Sequence, residues 1–156
     1  MSVPQYYLSV CAVFKNEGRY LVEWIEYHRL QGVEHFYLYD NGSTDQSRQL
    51  LDYYIAAGIV TYTAMPQYPA QIDAYADCLT SYGSRTFWLA CIDLDEFLVP
   101  VASQSLPAIL KQFEDCAALG VNWALYGTSR VRKRANGLVI QNFVCRGYDD
   151  TRQHYL

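Results

Sequence analysis

The chain has 156 residues, of which 51% are hydrophobic and 18% are charged, and its formal net charge is −4. This length and apolar content can bury a substantial core, so a disordered protein is excluded and one domain is expected. The acidic balance also argues against a protein that binds nucleic acid over its whole surface. Half of the 12 Lys and Arg residues lie in residues 128–156. An acidic body with a basic end suits a metal ion plus an anionic ligand, although a solvated basic loop explains the same pattern.

The first half of the chain predicts strands that alternate with helices. Residues 6–14 are almost continuously apolar, which is typical of a strand covered on both faces. A helix follows and should stop at Gly32, and residues 35–40 form the second strand. Ser43 and Gln46 match the capping-box pattern at the start of the next helix. The buried face of that helix is predicted to consist of Leu50, Leu51, Tyr54 and Ile55.

The second half continues the alternation. Residues 59–63 and 86–92 are predicted as the third and fourth strands, and residues 121–126 and 138–144 as two later ones. Strands alternating with helices predict an α/β fold, with a mostly parallel central sheet and helices on both faces. A helix that ends at Gly83 should bury Ile72, Tyr75, Cys78, Leu79 and Tyr82, and a helix capped by Ser105 should bury Ile109, Leu110, Phe113 and Cys116.

Cysteine usage and hydropathy bear on where the protein works. The five cysteines are odd in number and show no Cys-x-x-Cys spacing, and Cys11 and Cys91 lie in apolar strands, as core thiols do. We therefore expect a reduced, cytoplasmic protein, with peripheral attachment at the inner membrane face as a variant of that expectation. The sequence shows neither a signal peptide nor an apolar run long enough to span a bilayer.

Ligands of parallel α/β sheets bind beyond the carboxyl ends of the strands, so the polar residues after each strand are the candidate site residues. Carboxylates are frequent among them, which indicates a metal ion, a polyhydroxyl ligand or both. The candidates are Lys15, Asn16 and Glu17 after the first strand, Asp40, Asn41, Ser43 and Asp45 after the second, and Asp93, Asp95 and Glu96 after the fourth.

Asp93 and Asp95 form an Asp-x-Asp motif at the end of a buried strand. The spacing alone is common by chance, but carboxylates leaving a buried strand need a partner or solvent. Oxygen ligands without thiolates favour Mg²⁺ or Mn²⁺, which can also take oxygens from a diphosphate. The motif therefore predicts a divalent metal site, with a surface turn rich in Asp as the alternative.

Four segments resemble the family 92 and family 2-like glycosyltransferases in their order and spacing: residues 10–17 (VCAVFKNE), 23–28 (EWIEYH), 36–45 (FYLYDNGSTD) and 88–98 (WLACIDLDEFL). Residues 123–129 and 137–140 resemble later strands of the same group. The resemblance covers roughly residues 8–146. It implies a GT-A fold, which is a Rossmann-like nucleotide-binding sheet that uses a nucleotide-diphosphate sugar together with Mn²⁺ or Mg²⁺. UDP is the default nucleotide that the resemblance suggests.

The resemblance also implies roles for individual residues. Asp93 and Asp95 match the metal and sugar-nucleotide motif. The segment near the nucleoside is matched by Asp40, Asn41 and Asp45, and the loop beside the nucleotide by Lys15, Asn16 and Glu17. Trp24 and His28 lie on an apolar helical stripe, and we interpret both as core residues or supports of the site rather than as catalytic.

The resemblance further implies one GT-A-like domain over residues 1–156, with a nucleotide-binding half (1–100) and a partial acceptor-side half (101–156). The acceptor would be a carbohydrate or a lipid-linked hydroxyl. The family pattern continues beyond residue 156, which indicates either a chain truncated at its C-terminus or a divergent, minimal member of the family. Asp149 and Asp150 are the candidate catalytic bases, and His154 is the candidate late metal ligand.

Two other functions compete with sugar transfer. A non-catalytic module that binds a nucleotide sugar or a glycan fits the short chain. A phosphohydrolase of the haloacid-dehalogenase type also uses Asp-x-Asp, but Glu96 and Phe97 depart from its pattern. The basic segment would suit a diphosphate or an anionic acceptor if it is extended, and a solvated connection if it is not. It consists of Arg130, Arg132, Lys133 and Arg134.

Overall fold

A computed structural model describes residues 3–66, 70–100, 104–129 and 136–146. The chain divides into two compact units, Met1–Glu114 and Asp115–Leu156. The strands of the first unit are β1 (Tyr6–Phe14), β2 (His35–Asp40), β3 (Val60–Ala64) and β4 (Thr86–Cys91), and its helices are α1 (Gly18–Leu30), α2 (Ser47–Leu50), α3 (Asp52–Ala56), α4 (Gln71–Tyr82) and α5 (Leu106–Leu110).

The described strands form one sheet in the order β3-β2-β1-β4, and every pair of neighbours is parallel. The predicted parallel α/β sheet is therefore confirmed. β1 and β2 have the predicted bounds, while β3 starts one residue later than predicted and β4 ends one residue earlier. Each crossover between parallel strands needs a long connection, and the helices supply it.

Helices cover both faces of the sheet. The side chains of β1 point alternately into the two cores that lie between the sheet and these helices. Leu8, Val10 and Ala12 pack in a core with residues of α1, including Trp24. On the opposite face, Cys11 packs with β2 and with α4. A strand between two apolar layers reads as a nearly continuous apolar run, which explains the sequence of β1. Its position beside both β2 and β4 places its carboxyl end in the middle of the sheet edge.

Two of the predicted apolar helical faces are wrong in detail. On α4, Ile72 is 82% exposed, and Ala74 and Cys78 are the residues that α4 buries. α5 has no buried residue, although its Leu110 packs partly against the core. The two buried side chains of α4 pack in one cluster with Cys11, Tyr37 and Tyr39 of the sheet. Hydrophobicity alone does not carry that information.

Position in the sheet and tertiary contacts correct two further predictions. Cys91 is exposed, because it ends β4, which lies at the edge of the described sheet. The capping box is also wrong, since Gln46 is the N-cap residue of α2 and makes no capping hydrogen bond through its side chain. The Ser43 hydroxyl instead accepts a hydrogen bond from the Asn16 backbone N–H, 2.9 Å away. Tertiary contacts between loops have replaced the local cap.

The second unit is described over residues 115–129 and 136–146, and the two strands predicted there are wrong. Residues 121–126 form no strand, and the segment 138–144 contains a short helix, α6 (Val139–Asn142). An isolated antiparallel bridge joins Tyr126 to Arg146. Beside it, Ser129 Oγ accepts hydrogen bonds from two successive backbone N–H groups. An apolar run forms a strand only when a partner strand satisfies the hydrogen bonds of its backbone N–H and C=O groups.

Gly32 ends α1 where the sequence predicts it, and its position allows no side chain. Its φ of +101° lies in the left-handed region that favours glycine, and an added Cβ would lie 2.7 Å from the Pro107 ring of α5. The end of α1 also accepts a hydrogen bond from α5, since Leu106 N–H donates to Gln31 O at 3.1 Å. The glycine thus permits the contact between the two helix ends.

We expect Gly32→Ala to lower the free energy of unfolding by more than about 1 kcal/mol, because it adds both backbone strain and a clash with Pro107. Gly83→Ala is the matched control. Gly83 has a helical φ of −56°, and nothing lies within 4 Å of the position that an added methyl group would take. The control should leave stability within about 0.5 kcal/mol of wild type or raise it. Urea unfolding measures both, and equal stabilities for the two variants would contradict the assignment.

Candidate functional site

A cavity of about 290 Å³ lies at the carboxyl edge of the sheet, where the loops after β1, β2 and β4 meet. Open parallel sheets bind ligands at this edge. The cavity includes five of the predicted site residues, and two apolar residues of β1 and Leu94 complete its described lining. The predicted residues that line it are Lys15, Glu17, Asn41, Asp93 and Asp95.

Asp93 and Asp95 flank a tight turn that follows β4. The turn closes on itself, since Glu96 N–H donates to Asp93 O and Asp93 N–H donates to Glu96 Oε2 at 3.0 Å. Between the two aspartates, Leu94 is buried in the main core. The buried Leu94 side chain holds the turn against the sheet. The Asp93 and Asp95 side chains on either side of it line the cavity.

Helix α1 holds the backbone just after this turn through three side chains. Trp24 Nε1–H donates to Glu96 O at 2.8 Å, and the Tyr27 hydroxyl donates to Leu98 O at 3.3 Å. His28 Nε2 accepts from Leu98 N–H at 3.2 Å. Trp24 and His28 are both fully buried, which confirms their interpretation as core residues. The contribution of Tyr27 escaped the sequence interpretation, although it lies between them on the same helix.

The tautomer of His28 is set by its partners. Its Nδ1 lies 2.8 Å from the carbonyl oxygen of Trp24, which can only accept, so Nδ1 carries the proton and Nε2 is free to accept from Leu98. Burial lowers the pKa of His28 to about 4. The ring is therefore neutral at physiological pH and acts as a structural bridge between α1 and the loop after Asp95.

Loops after β1 and β2 are joined by Asn16, whose φ of +59° is the left-handed conformation that Asn tolerates better than most residues. Its side-chain oxygen accepts from Thr44 N–H at 2.7 Å and from Asp45 N–H at 3.3 Å. The Asn16 backbone N–H donates in turn to Ser43. Asn16 does not line the cavity, and its described contacts hold the two cavity loops together.

Asp45 caps α1 from a different loop. The N-cap residue of α1 is Glu17, which makes no capping hydrogen bond through its side chain. Asp45 Oδ2 instead accepts from Gly18 N–H at 3.0 Å, and Oδ1 accepts from the Ser47 hydroxyl at 2.5 Å and from Ser47 N–H at 3.0 Å. The Ser47 hydroxyl leads these contacts in holding the pKa of Asp45 below its ordinary value. Asp45 thus satisfies donors at the first turns of two helices.

Asp40 ends β2 and Asn41 follows it, and the two side chains have different surroundings. Asp40 is buried, and its carboxylate accepts from Ser43 N–H at 2.7 Å and from the Tyr62 hydroxyl at 3.0 Å. Asn41 Nδ2–H donates to Met65 O at 2.9 Å, and Asn41 lines the cavity. The structure therefore gives Asp40 a role in shaping the loop after β2. A direct contact between Asp40 and a ribose stays a prediction.

A divalent metal ion fits the free oxygens of the site. Within the described residues, Asp93 Oδ2 and the Asp95 carboxylate accept no hydrogen bond, and both side chains line the same cavity. No group of three or more His, Cys, Asp or Glu side chains in the described ranges is arranged to hold a metal on its own. Mg²⁺ and similar ions bind through one or two carboxylates plus phosphate oxygens, so the donor atoms of this pair of aspartates suit such an ion.

Several predicted residues lie outside the described ranges. These are the candidate bases Asp149 and Asp150, the late histidine His154, and the basic segment made of Arg130, Arg132, Lys133 and Arg134. Among the helices that the structure does describe, none is long and apolar enough to cross a membrane.

We expect Asp45→Ala to cost about 1 kcal/mol of unfolding free energy, because it removes the cap of α1. Asp115→Ala is the control, since Asp115 has no hydrogen bond in the described part of the chain, and it should change stability by less than about 0.5 kcal/mol. The pKa of Asp45 is lowered on folding, so the difference should persist at neutral pH and shrink as the pH falls below 3.8. Urea unfolding across this pH range is the measurement. A fully stable Asp45→Ala protein would show that Asp45 caps nothing.

The low pKa of His28 makes stability depend on pH. The unfolded chain takes up this proton near pH 6.5 and the folded chain near pH 4, so folding stability is full above pH 6.5 and falls as the solution is acidified towards pH 4. Between pH 7 and pH 5 the loss from this one residue should be about 2 kcal/mol. In His28→Asn the pH dependence of urea unfolding should be weaker by that amount. If the unfolding free energy of the variant depends on pH as strongly as that of wild type, His28 is not a neutral, buried residue.

Comparisons with known proteins agree with this architecture. The profile described as Glycosyltransferase family 92 matches residues 5–137. A glycosyltransferase family 92 protein of Ricinus communis is 28% identical over 144 residues, which cover 89% of this chain and 26% of the relative. A family 92 protein of Oryza sativa is 32% identical over 107 residues, covering 68% and 18%. A β-1,4-galactosyltransferase of Caenorhabditis elegans is 32% identical over 110 residues, covering 62% and 26%.

Solved structures match as well. The crystal structure of S. aureus TarS superposes with a TM-score of 0.52 at 15% identity, covering 77% of this chain and 24% of that one. S. aureus TarS 1–349 gives the same score and identity, with coverage of 88% and 43%. At this identity the likeness shows the fold alone, and it confirms the predicted GT-A-like α/β fold. The chain spans about a quarter or less of the length of the first curated relatives that it matches. On the match to residues 5–137, the chain belongs to glycosyltransferase family 92.

Proposed function

We propose that this chain forms the donor-binding part of a metal-dependent glycosyltransferase and that its donor is a nucleotide-diphosphate sugar, with UDP as the nucleotide. One observation carries the proposal: two aspartates with free carboxylate oxygens line a cavity together with Lys15, at the carboxyl edge of a parallel sheet in a family 92 chain. The name of the Caenorhabditis elegans relative supports transfer of a sugar as the reaction class.

The metal ion would be Mn²⁺ or Mg²⁺, held by Asp93 and Asp95. When bound, such an ion supplies charge stabilisation for a diphosphate leaving group. Lys15 is exposed at the same cavity and adds a positive charge that favours the diphosphate. Without a cation, each pair of like charges at about 4 Å would cost about 4 kcal/mol at an effective dielectric constant of 20. This repulsion makes donor binding dependent on the metal.

Two further residues line the cavity, the neutral Asn41 and the acidic Glu17. Their side chains are hydrogen-bonding groups for the nucleoside and the sugar of the donor. A carboxylate and an amide oxygen accept hydrogen bonds from hydroxyl groups, and an amide also donates. We propose that these residues contact the nucleoside or the sugar. Asn16, Asp40 and Asp45 contribute by holding the loops that carry them, which their hydrogen bonds support.

The acceptor is proposed to be a carbohydrate or a lipid-linked hydroxyl, with Asp149 or Asp150 as the catalytic base. A base in reach of the acceptor hydroxyl contributes roughly 10²–10⁴-fold to such a reaction. A cytoplasmic location belongs to the same proposal, and the five free cysteines support it because a reducing compartment keeps thiols unpaired.

Calorimetry with UDP tests the proposal. We expect binding in Mn²⁺ and little or none in EDTA, since repulsion by Asp93 and Asp95 is then uncompensated. Asp95→Asn should lose most of the metal-dependent affinity and keep its fold, because Asp95 is exposed and makes no hydrogen bond within the described residues. Asp115→Asn, an exposed carboxylate of the second unit, is the control and should bind like wild type.

Two results would contradict the proposal. Equal UDP affinity in Mn²⁺ and in EDTA would show that the metal ion takes no part in donor binding. A loss of fold in Asp95→Asn, detected by circular dichroism, would make Asp95 a structural residue. Normal affinity in a folded Asp95→Asn protein would exclude it as a ligand of the metal.

A further inference from the structure

We propose that Gln71 and Tyr75, on α4, are positioning residues that orient the Asp93 carboxylate and leave its Oδ2 atom for the ligand. This inference rests on the proposed function, because it assigns to α4 a role in preparing the metal site. Neither residue follows a strand, and the site predicted from strand ends contains neither of them.

Three hydrogen bonds connect the side chains in a triangle. Gln71 Nε2–H donates to Asp93 Oδ1 at 2.8 Å and to the Tyr75 hydroxyl oxygen at 3.3 Å. The Tyr75 hydroxyl donates to the same Asp93 Oδ1 at 3.5 Å. A tyrosine hydroxyl carries its proton at neutral pH and can donate it to a carboxylate oxygen. Gln71 and Tyr75 therefore both donate to the same carboxylate oxygen, and Gln71 also donates to Tyr75.

The triangle stands on a rigid support. Gln71 and Tyr75 are four residues apart and so lie on the same side of α4. Ala74 and Cys78 of this helix are fully buried against the sheet, and Tyr75 packs partly against the same core cluster. Asp93, which accepts the hydrogen bonds from Gln71 and Tyr75, follows β4. The position of Asp93 Oδ1 thus depends on side chains of α4 as well as on its own turn.

Holding one oxygen has a chemical consequence. A carboxylate whose Oδ1 is engaged offers Oδ2, and it does so in one orientation before any ligand arrives. Groups that hydrogen-bond a metal ligand in this way commonly change metal affinity 10–100-fold when they are removed. Asp95 has no such support within the described residues, so the two aspartates are unequal: Asp93 is oriented in advance and Asp95 adapts on binding.

The test measures Mn²⁺ affinity by electron paramagnetic resonance of free Mn²⁺, in the presence of UDP. The variants are Gln71→Met and Tyr75→Phe, which keep the side-chain size and remove the donors. Gln49→Met and Tyr53→Phe are matched controls, because both residues are exposed helical side chains away from the cavity lining. Thermal unfolding of every variant reports on the fold.

We expect Gln71→Met to weaken Mn²⁺ binding about 10-fold and Tyr75→Phe to weaken it less, since its contact with Asp93 is longer. Both controls should bind like wild type, and the melting temperature of Gln71→Met should be unchanged because Gln71 is exposed. Wild-type Mn²⁺ affinity in a folded Gln71→Met protein would overturn the inference and leave the proposed function standing. Absence of Mn²⁺ binding by the wild-type chain would overturn the metal-dependent function and the inference with it.

Discussion

The hydrogen bonds that α1 exchanges with the loops at the carboxyl edge of the sheet are the interactions on which the site depends. Parallel strands end at one edge, and their loops leave backbone groups there that need partners. Asp45 satisfies the first N–H of α1, while Trp24 and His28 hold the backbone on either side of Phe97. A single helix therefore connects the loops after β1, β2 and β4 and sets the distance between them.

This arrangement divides the acidic residues into two groups. Asp40 and Asp45 have hydrogen bonds to the chain on both carboxylate oxygens, so donors within the fold already solvate both side chains. Asp93 has one oxygen without a described partner, and Asp95 has two. Of these four aspartates, the two that keep oxygens without a described partner therefore lie on one turn at the cavity. A set of carboxylates that looks like one cluster in the sequence serves two purposes, because donors of the chain already occupy the oxygens of Asp40 and Asp45.

Much of the first unit could be predicted from the sequence. The apolar runs of β1 and β2 and the stop of α1 at Gly32 are local signals, and the structure agrees with them. The second unit could not be predicted in the same way. Its residues 121–126 are apolar enough for a strand, but Trp123 is 78% exposed and the described segment pairs only through Tyr126. A strand is defined by a partner, and hydropathy describes only the chain itself.

For the site, the order of residues along the chain is enough to identify those that stand at the ends of the strands, because alternation of strands and helices brings those ends to one edge. Lys15, Asn41 and Asp93 reach the cavity for that reason. Packing in three dimensions was needed to show that Asp40 turns into the fold and that Gln71 approaches Asp93 from α4. Such contacts depend on the distance between elements that are 22 residues apart in the chain, and that distance is set by core packing rather than by local sequence.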